Sequence, residues 1–381
     1  MKKEKKKKEV KSHHDILHDC YEAAKKCIHK CSTPHGIYAS GGPNGYNAVW
    51  ARDSMITSLG ASLCSNEFKE VFENSIITLG DHQSKNGQIP NCVDKWEERS
   101  PHVDYKSVDS TMWYIIGNHA FKERFNDDRL LIANKKLIDI ALFWLACQDT
   151  GEVGMITQLP TSDWQDAFPH RYGYTINSQA LYYKVLTLVG NLEAAEKLKC
   201  MVNDDKDDSL WNGNFYLPYR WKNHGKYKEI GDWFDSLGNI LAILFGLADE
   251  EKSKKILDYI KKKNIAKPSA IRDIYPPIDK NSKYWQDYYL DCMAGIPNQY
   301  SNGGIWGYIG CFYALALIKF GKIKEAEEEL VKIAKNNLKY GFPEWVHPKT
   351  GKVLELDKLQ AWEAGCYILA YESLKQKKVL I

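Results

Sequence analysis

The stretch WGYIGCFYALALIKFGKIKEAEEELVKIAKNNL, Trp306 to Leu338, decides the fold. Its first half, Trp306–Phe320, is apolar or aromatic at nearly every position. A helix built from it leaves no face for water and must be buried all round. Gly321 and Lys322 then interrupt the run. The second half, Ile323–Leu338, keeps apolar residues at helical spacing but fills the other face with Lys and Glu, as an amphipathic outer helix does. So short a link joins the two as an antiparallel hairpin with one inner and one outer member.

The same pairing recurs on both sides of this stretch. Helical periodicity runs through Asp53–Cys64 and Glu67–His82, Ile176–Val189 and Leu192–Val202, and Phe234–Ala248 and Glu250–Ile260. Further periodic segments are His14–Cys31, Ser110–Phe125, Arg129–Cys147 and Leu359–Leu374. Strand patterns are few and short. About twelve helices in hairpins, with inner members apolar and outer members charged, predict an all-α chain folded as an (α/α)6 toroid. A helical solenoid would show a constant period, and none is present.

Between the pairs lie polar, aromatic-rich loops: Gly36–Arg52, Asn86–Val108, Gly151–Tyr174, Trp211–Gly231, Arg272–Gly304 and Tyr340–Lys358. Loops of this length in a compact fold are usually functional. In a toroid they gather at one mouth and line a cavity. The 12 Trp, 23 Tyr and 12 Phe suit a cleft that stacks on flat, hydroxylated ligands such as sugars.

Charge and composition exclude other classes. The net charge of +3 over 381 residues sits on the first ten residues, where six Lys and two Glu give +4 and leave the body at −1. A nucleic-acid binder carries positive charge on its folded part, so no nucleic-acid partner is expected. Residues 1–12 are read as a solvated basic tail and residues 13–381 as one catalytic unit. No apolar run approaches the ~20 residues that cross a bilayer, and no apolar segment of a signal peptide follows the tail. A cytoplasmic protein with no membrane partner is expected, its cysteines mostly buried thiols. Cys27, His29, Cys31 and His35 contain a single Cys-x3-Cys pair, short of the two pairs of a zinc site. Asp204-Asp-Lys-Asp-Asp208 has the spacing of a magnesium–diphosphate site, but no second acidic cluster accompanies it. Neither metal nor cofactor is expected.

Four loop–helix junctions carry the candidate chemistry. Trp50-Ala-Arg52-Asp53 opens a helix. Asp53 reads either as its N-cap or, with Arg52, as a pair that binds vicinal hydroxyls. In Thr161-Ser-Asp163-Trp164-Gln-Asp166-Ala-Phe-Pro-His170-Arg171, two carboxylates crowd an indole. A carboxyl kept dry beside an indole has its pKa raised, as a general acid near neutral pH requires. Asn298-Gln-Tyr-Ser-Asn302-Gly303-Gly304-Ile-Trp306 offers glycines for close approach with an amide and an indole beside them. Gly341-Phe-Pro-Glu344-Trp345, with Gln360-Ala-Trp362 beyond it, frames a candidate base in aromatics.

In order and content these motifs resemble the six-hairpin glycosidases. Trp50-Ala-Arg-Asp-Ser54 and Trp164-Gln-Asp166 are similar to the W-x-R-D-[ST] and W-M-D motifs in the glucosidase half of glycogen debranching enzymes. Gln179-Ala-Leu-Tyr-Tyr183, Leu237-Gly-Asn239, Asn302–Trp306, Pro343-Glu-Trp345 and Gln360–Trp362 resemble motifs of the neutral/alkaline invertases. The resemblance extends from Asn47 to Tyr371. It implies that Asp166 is the general acid and Glu344 the base of an inverting glycosidase. It also implies that Arg52 and Asp53 hold the non-reducing glucose unit and that Asn302, Gly303 and Trp306 form a sugar-contacting loop. With these, the candidate sugar-binding set is Trp50, Arg52, Asp53, Asp109, Asp163, Trp164, His170, Arg171, Gln179, Asn302, Gly303, Trp306, Trp345 and Gln360. Asp163 is expected to support Asp166. Ser54 stands where the invertase motif has Phe, and Ala167 and Phe168 stand where it has an Arg pair. These departures favour an α-glucoside of an oligosaccharide or glycogen-type chain over sucrose or another disaccharide. No counterpart of the debranching transferase half is found. The remaining alternative is a non-hydrolytic toroid, binding sugar or doing isomerase or lyase chemistry.

Overall fold

The structure, a computed structural model, describes residues 11–381 except 44, 95–101, 205–208, 222–228 and 288–294. Most of the basic tail, and Asp205 to Asp208 of the acidic run, therefore lie outside the described residues. The described helices are α1 (His13–Cys31), α2 (Ala51–Ala61), α3 (Lys69–Asp81), α4 (Asp109–Phe125), α5 (Arg129–Ala133), α6 (Lys135–Ala146) and α7 (Ile176–Leu188). They continue with α8 (Leu192–Asn203), α9 (Ser236–Phe245), α10 (Glu250–Lys262), α11 (Gly307–Lys319), α12 (Ile323–Tyr340) and α13 (Ala361–Gln376). Arg129–Cys147, expected as one helix, is two. The chain breaks at Asn134, whose side-chain amide turns to donate to Asn118 Oδ1 at 2.9 Å.

Burial separates two kinds of helix, as the hairpin pattern requires. Every residue of α2 is buried. All of α9 but Phe245 is buried, and α11 and α13 are buried along most of their length. By contrast α8, α10 and α12 bury one stripe and face water with Lys and Glu. The buried helices pack in succession: α2 on α4, α4 on α7, α7 on α9, α9 on α11, α11 on α13, and α13 back on α2. The charged members flank them, α3 beside α2 and α4, α8 beside α7, and α12 beside α11. No described helix is long and apolar enough to cross a membrane.

The α2–α13 contact is a backbone crossing. A Cβ on Gly60 would lie 1.8 Å from the Gly365 carbonyl oxygen, and one on Gly365 would lie 2.4 Å from Thr57 Cα. Only glycine at both positions allows the two helices to touch this closely.

Described strands are two or three residues long and form small antiparallel sheets. Their role is to aim loops. Val49–Trp50, Tyr174–Thr175 and Phe234–Asp235 run directly into α2, α7 and α9. Single bridges, Ile305 to Val346 and Ser40 to Gln360, do the same before α11 and α13. Asp235 then caps α9, its Oδ1 accepting from the Gly238 N–H at 3.2 Å. One apolar cluster runs through the helices from Leu17 to Ala370. A second, of Phe168, Tyr219, Trp233, Ile274 and Ile278, lies among the loops. The α1 thiols belong to the packing: Cys31 Sγ donates to the Leu359 carbonyl at 3.3 Å and Cys27 Sγ to that of Gln360 at 3.8 Å.

Glu363 on α13 is a buried acid with no solvent to ionise into. Burial pushes its carboxyl from 4.5 up to about 7, against hydrogen bonds from Asn337 and the Tyr308 backbone. Between those two values the folded state holds a proton that the unfolded chain releases, so stability falls as pH rises through this window. Glu363→Gln is expected to remove that slope. It should raise stability above pH 7 by up to roughly 3 kcal/mol, and urea midpoints of both proteins at pH 5 and pH 8 check it.

Candidate active site

The site begins where Val49–Trp50 turns into α2. Trp50 ends the extended segment and Asp53 lies in the first turn of the helix. Asp53 is not the N-cap: that position is Trp50, and no side chain caps this end. The Asp53 carboxyl is instead buried beside Arg52, with Arg52 Nε 3.9 Å from its Oδ2. Burial pushes Asp53 up to about 7, opposed by the Arg52 charge and reinforced by Asp166.

Arg52 Nη1 donates to both oxygens of Asp109, at 3.1 and 3.2 Å. Asp109, the first residue of α4, also accepts from the Ser107 hydroxyl and, at 3.1 Å, from the Trp164 backbone N–H. One carboxylate thus ties the α2 arginine to the acid-bearing loop.

That loop is pinned a second time. Asp163 Oδ2 accepts from Arg171 Nη2 at 2.7 Å, and its Oδ1 accepts from the Gln165 N–H at 3.0 Å. Arg171 Nη1 donates to Asp235. All three side chains are withdrawn from water. Between the two anchors the chain turns outward at Asp166, an exposed residue that lines a cleft. Partial desolvation in the cleft raises its carboxyl above the ordinary range. Arg52 opposes the shift, and Asp163 and Asp109 add to it.

Glu344 reaches the same cleft from the loop between α12 and α13. Its Oε1 accepts from the hydroxyls of Tyr46 at 3.0 Å and Tyr300 at 3.3 Å. Enclosure raises its carboxyl as well. Lys358 and the two phenols pull it back towards the ionised form. Lys358 is fixed by Glu355 at 2.8 Å and lies 4.6 Å over the Tyr46 ring. Aromatics form the floor: Trp164 meets Trp306 edge-on at 5.7 Å, Trp306 meets Trp362 at 5.9 Å, and Tyr308 stacks on Trp362 at 4.1 Å.

These groups enclose a cavity of about 170 Å³, lined by Trp50, Arg52, Asp53, Trp164, Asp166, Trp306, Glu344 and Gln360 together with Ala39, Tyr46, Tyr300 and Trp362. Trp50 Nε1, Trp164 Nε1 and Gln360 Oε1 are buried without a protein partner. All three residues line the small cavity, and a buried polar atom left without a partner is uncommon in a folded protein. Among the described residues no group of three or more His, Cys, Asp and Glu side chains is placed to hold a metal ion.

The other expected residues lie elsewhere. Trp345 lines a wider neighbouring cavity, and half-buried His170 lines neither. Asp109, Asp163 and Arg171 form the ion networks behind the cavity wall. Gln179 bonds at both ends to the backbone of Ile156, at 3.2 and 2.8 Å. Asn302 accepts from the Ile278 N–H at 2.7 Å and donates to the Ile278 and Gly295 carbonyls, each at 2.8 Å. Gly303, at φ 94°, donates its N–H to Asp273 Oδ1 at 2.8 Å. These polar groups shape loops and line neither cavity. Tyr46, Tyr300 and Trp362 were not among the expected contacts. The signal available for the first two was an aromatic beside glycines in a long loop.

Two family models match the chain. Residues 22–206 match amylo-α-1,6-glucosidase and residues 228–377 match alkaline and neutral invertase. Cytosolic invertase 1 of Oryza sativa subsp. japonica is 29% identical over 142 residues, 36% of this chain and 25% of that protein. Alkaline/neutral invertase E, chloroplastic, of Arabidopsis thaliana is 26% identical over 441 aligned positions, 89% of this chain and 69% of that protein. Against the rice protein the chain thus spans about a quarter of the relative's length. Among solved structures, the GH63 mannosylglycerate hydrolase from Thermus thermophilus superposes with a TM-score of 0.69 at 13% identity, over 92% of this chain and 99% of that one. A rhamnosidase from Klebsiella oxytoca superposes with 0.64 at 13% identity, over 95% of this chain and 64% of that one. The motif resemblance to six-hairpin glycosidases is thus met in both halves of the chain by models of glycoside hydrolases, and the fold is that of solved glycosidases.

Proposed function

We propose that the chain is an inverting glycoside hydrolase that removes a terminal α-linked glucose, its twelve longer helices among the described residues closing as an (α/α)6 toroid. The observation that carries the reading is the meeting of Asp166 and Glu344, 178 residues apart, in one cavity of about 170 Å³. Asp166, whose carboxyl desolvation raises, gives its proton to the glycosidic oxygen. Glu344, whose raised carboxyl Lys358 and the two phenols pull back towards the ionised form, takes a proton from a water whose oxygen attacks C1 from the opposite ring face. The bond from C1 to the leaving oxygen breaks as the new C–O bond forms. Asp166 is left ionised and Glu344 protonated, and solvent resets both. Such geometry needs the carboxyls roughly 6.5–9.5 Å apart, so that water fits between them. Arg52 and Asp53 hold hydroxyls of the bound ring, and the edge-on indoles form its floor.

Match to the invertase model around Glu344 supports a second reading, hydrolysis of sucrose. Ala167 and Phe168, where that family has an Arg pair, favour the α-glucoside.

The anomer first released, followed by NMR on an α-glucoside, tests the mechanism. β-Glucose is expected; α-glucose would mean a covalent double displacement and withdraw both roles. The pH–rate profile should be a bell. Activity is lost below it as Glu344 protonates and above it as Asp166 ionises, both limbs displaced upward from ordinary carboxylate values.

A further inference from the structure

A cavity of about 200 Å³ lies between the outer helices α10 and α12, over α11, and shares no residue with the two at the loops. Its volume is close to the 170 Å³ of the cleft assigned one ring. Leu257 and Ile260 of α10 and Leu317 of α11 give it an apolar floor. Polar groups surround that floor. Lys261, Lys267 and Lys322 bring donors, and Glu325 and Glu328 bring acceptors. We infer that this cavity is a second, non-catalytic site that holds one neutral hexose unit of an α-glucan. The choice of a glucan rests on the proposed hydrolase activity; the chemistry of the cavity asks only for a neutral polyol.

Charge decides the class of ligand. Among the described residues none of these five side chains has an ion-pair partner within 4.0 Å. The neighbouring Lys254 and Lys255 of α10 do pair, with Glu250 and Glu251 at 2.5 and 2.7 Å. Around the cavity, opposite charges instead stand apart across a space the size of a sugar ring. The Tyr313 hydroxyl, a further donor and acceptor, makes no hydrogen bond among the described residues either. An anion placed here would meet Glu325, Glu328 and the buried Glu329, and a cation would meet the lysines. Hydroxyls both donate and accept, so they use both signs at once. The C–H face of the same ring covers the aliphatic floor. The site is also built in advance. Lys332 Nζ donates to the Ala266 carbonyl at 2.8 Å and to Glu329 at 2.9 Å, and Glu329 accepts from the Ile271 N–H at 2.6 Å. These bonds pin the segment after α10 against α12, and a preformed site loses less entropy on binding. A single ring binds weakly. As a second attachment on the same chain, it gathers a branched polymer by avidity with no change at the cleft.

The test runs the full chain through native gels containing glycogen and follows its retardation. Glu325→Ala with Glu328→Ala removes the acceptors from an exposed rim, and Lys261→Trp plugs the cavity. Each should raise the apparent Kd for glycogen, and the KM on it, by about threefold or more. Unchanged Tm shows that the variants fold, and kcat/KM on a disaccharide should stay at the wild-type value. Retardation equal to wild type in both variants would overturn the inference. So would release of the bound glycogen by inorganic phosphate, the mark of an anion site. If no substrate is turned over but the variants lose retardation, the hydrolase reading fails and the second site stands. Glucose release with retardation unchanged gives the opposite result.

Discussion

Glu344→Gln is expected to lower turnover of an α-glucoside by roughly 10²–10⁴-fold, the usual cost of losing one positioned base, while sugar binding persists. The swap is nearly isosteric, and the amide oxygen can still accept from the Tyr46 and Tyr300 hydroxyls that hold Oε1. Only the ability to take a proton from water is lost. Azide, which needs no base, should restore part of the rate from the same ring face. Glucose affinity by calorimetry beside steady-state rates separates the two effects. Turnover within a few-fold of wild type would remove Glu344 from the mechanism. Tyr46→Phe should act in the same direction but far more weakly. It deletes one hydrogen bond that favours the ionised carboxylate, so the acidic limb of the pH profile moves up.

Arg171→Met is expected to be the most destabilising single change at the site, by about 3–5 kcal/mol, because removing one partner strands buried charge. Asp163 and Asp235 both rest on the one guanidinium, and all three side chains are inaccessible. Burial already raises the Asp235 carboxyl, and Arg171 opposes the rise. Without the arginine, folding draws a proton onto the Asp235 carboxyl that the unfolded chain releases above its ordinary pKa. Stability of the variant should therefore fall as pH rises, with a greater deficit at pH 8 than at pH 5. Guanidinium midpoints at the two pH values measure it. Asp163→Asn should share the loss of stability. Asp166→Asn, on a side chain facing the cleft, should keep the wild-type midpoint and lose turnover. Greater residual activity in Asp166→Asn than in Asp163→Asn would reverse the assignment of the acid.

The helices were legible because two signals coincide at each: a 3.6-residue apolar period, and a difference in charge between members of a hairpin. The break at Asn134 was not, since its cause is an amide reaching Asn118 on another helix. At the site, Trp50, Arg52, Asp53, Asp166, Trp306 and Glu344 stood out as charged or indole side chains at loop–helix junctions, and they share one cavity. Arg171 stood out as a charged side chain in one of these loops, and Gln179 and Asn302 through motif resemblance, and none of the three lines it. A polar side chain buried to hold a loop and one buried to hold a ligand look alike in sequence, because both are placed among apolar neighbours. Only the direction of the free hydrogen-bonding atoms separates them. Gln179 has none left, whereas Gln360 keeps Oε1 unpartnered.

The glycine crossing of α2 and α13 bears on how the protein is made. α2 carries Arg52 and Asp53 and is synthesised well before α13, which follows Gln360. Until then the contact face of α2 lacks its closest neighbour, and the wall of the cavity formed by Gln360 and Trp362 does not exist. The nascent chain therefore carries Arg52 long before the cavity is closed. Contacts of such wide sequence separation form slowly, so a partly made chain is a sticky, inactive intermediate in need of protection. Activity should arrive all at once, when α13 docks on α2.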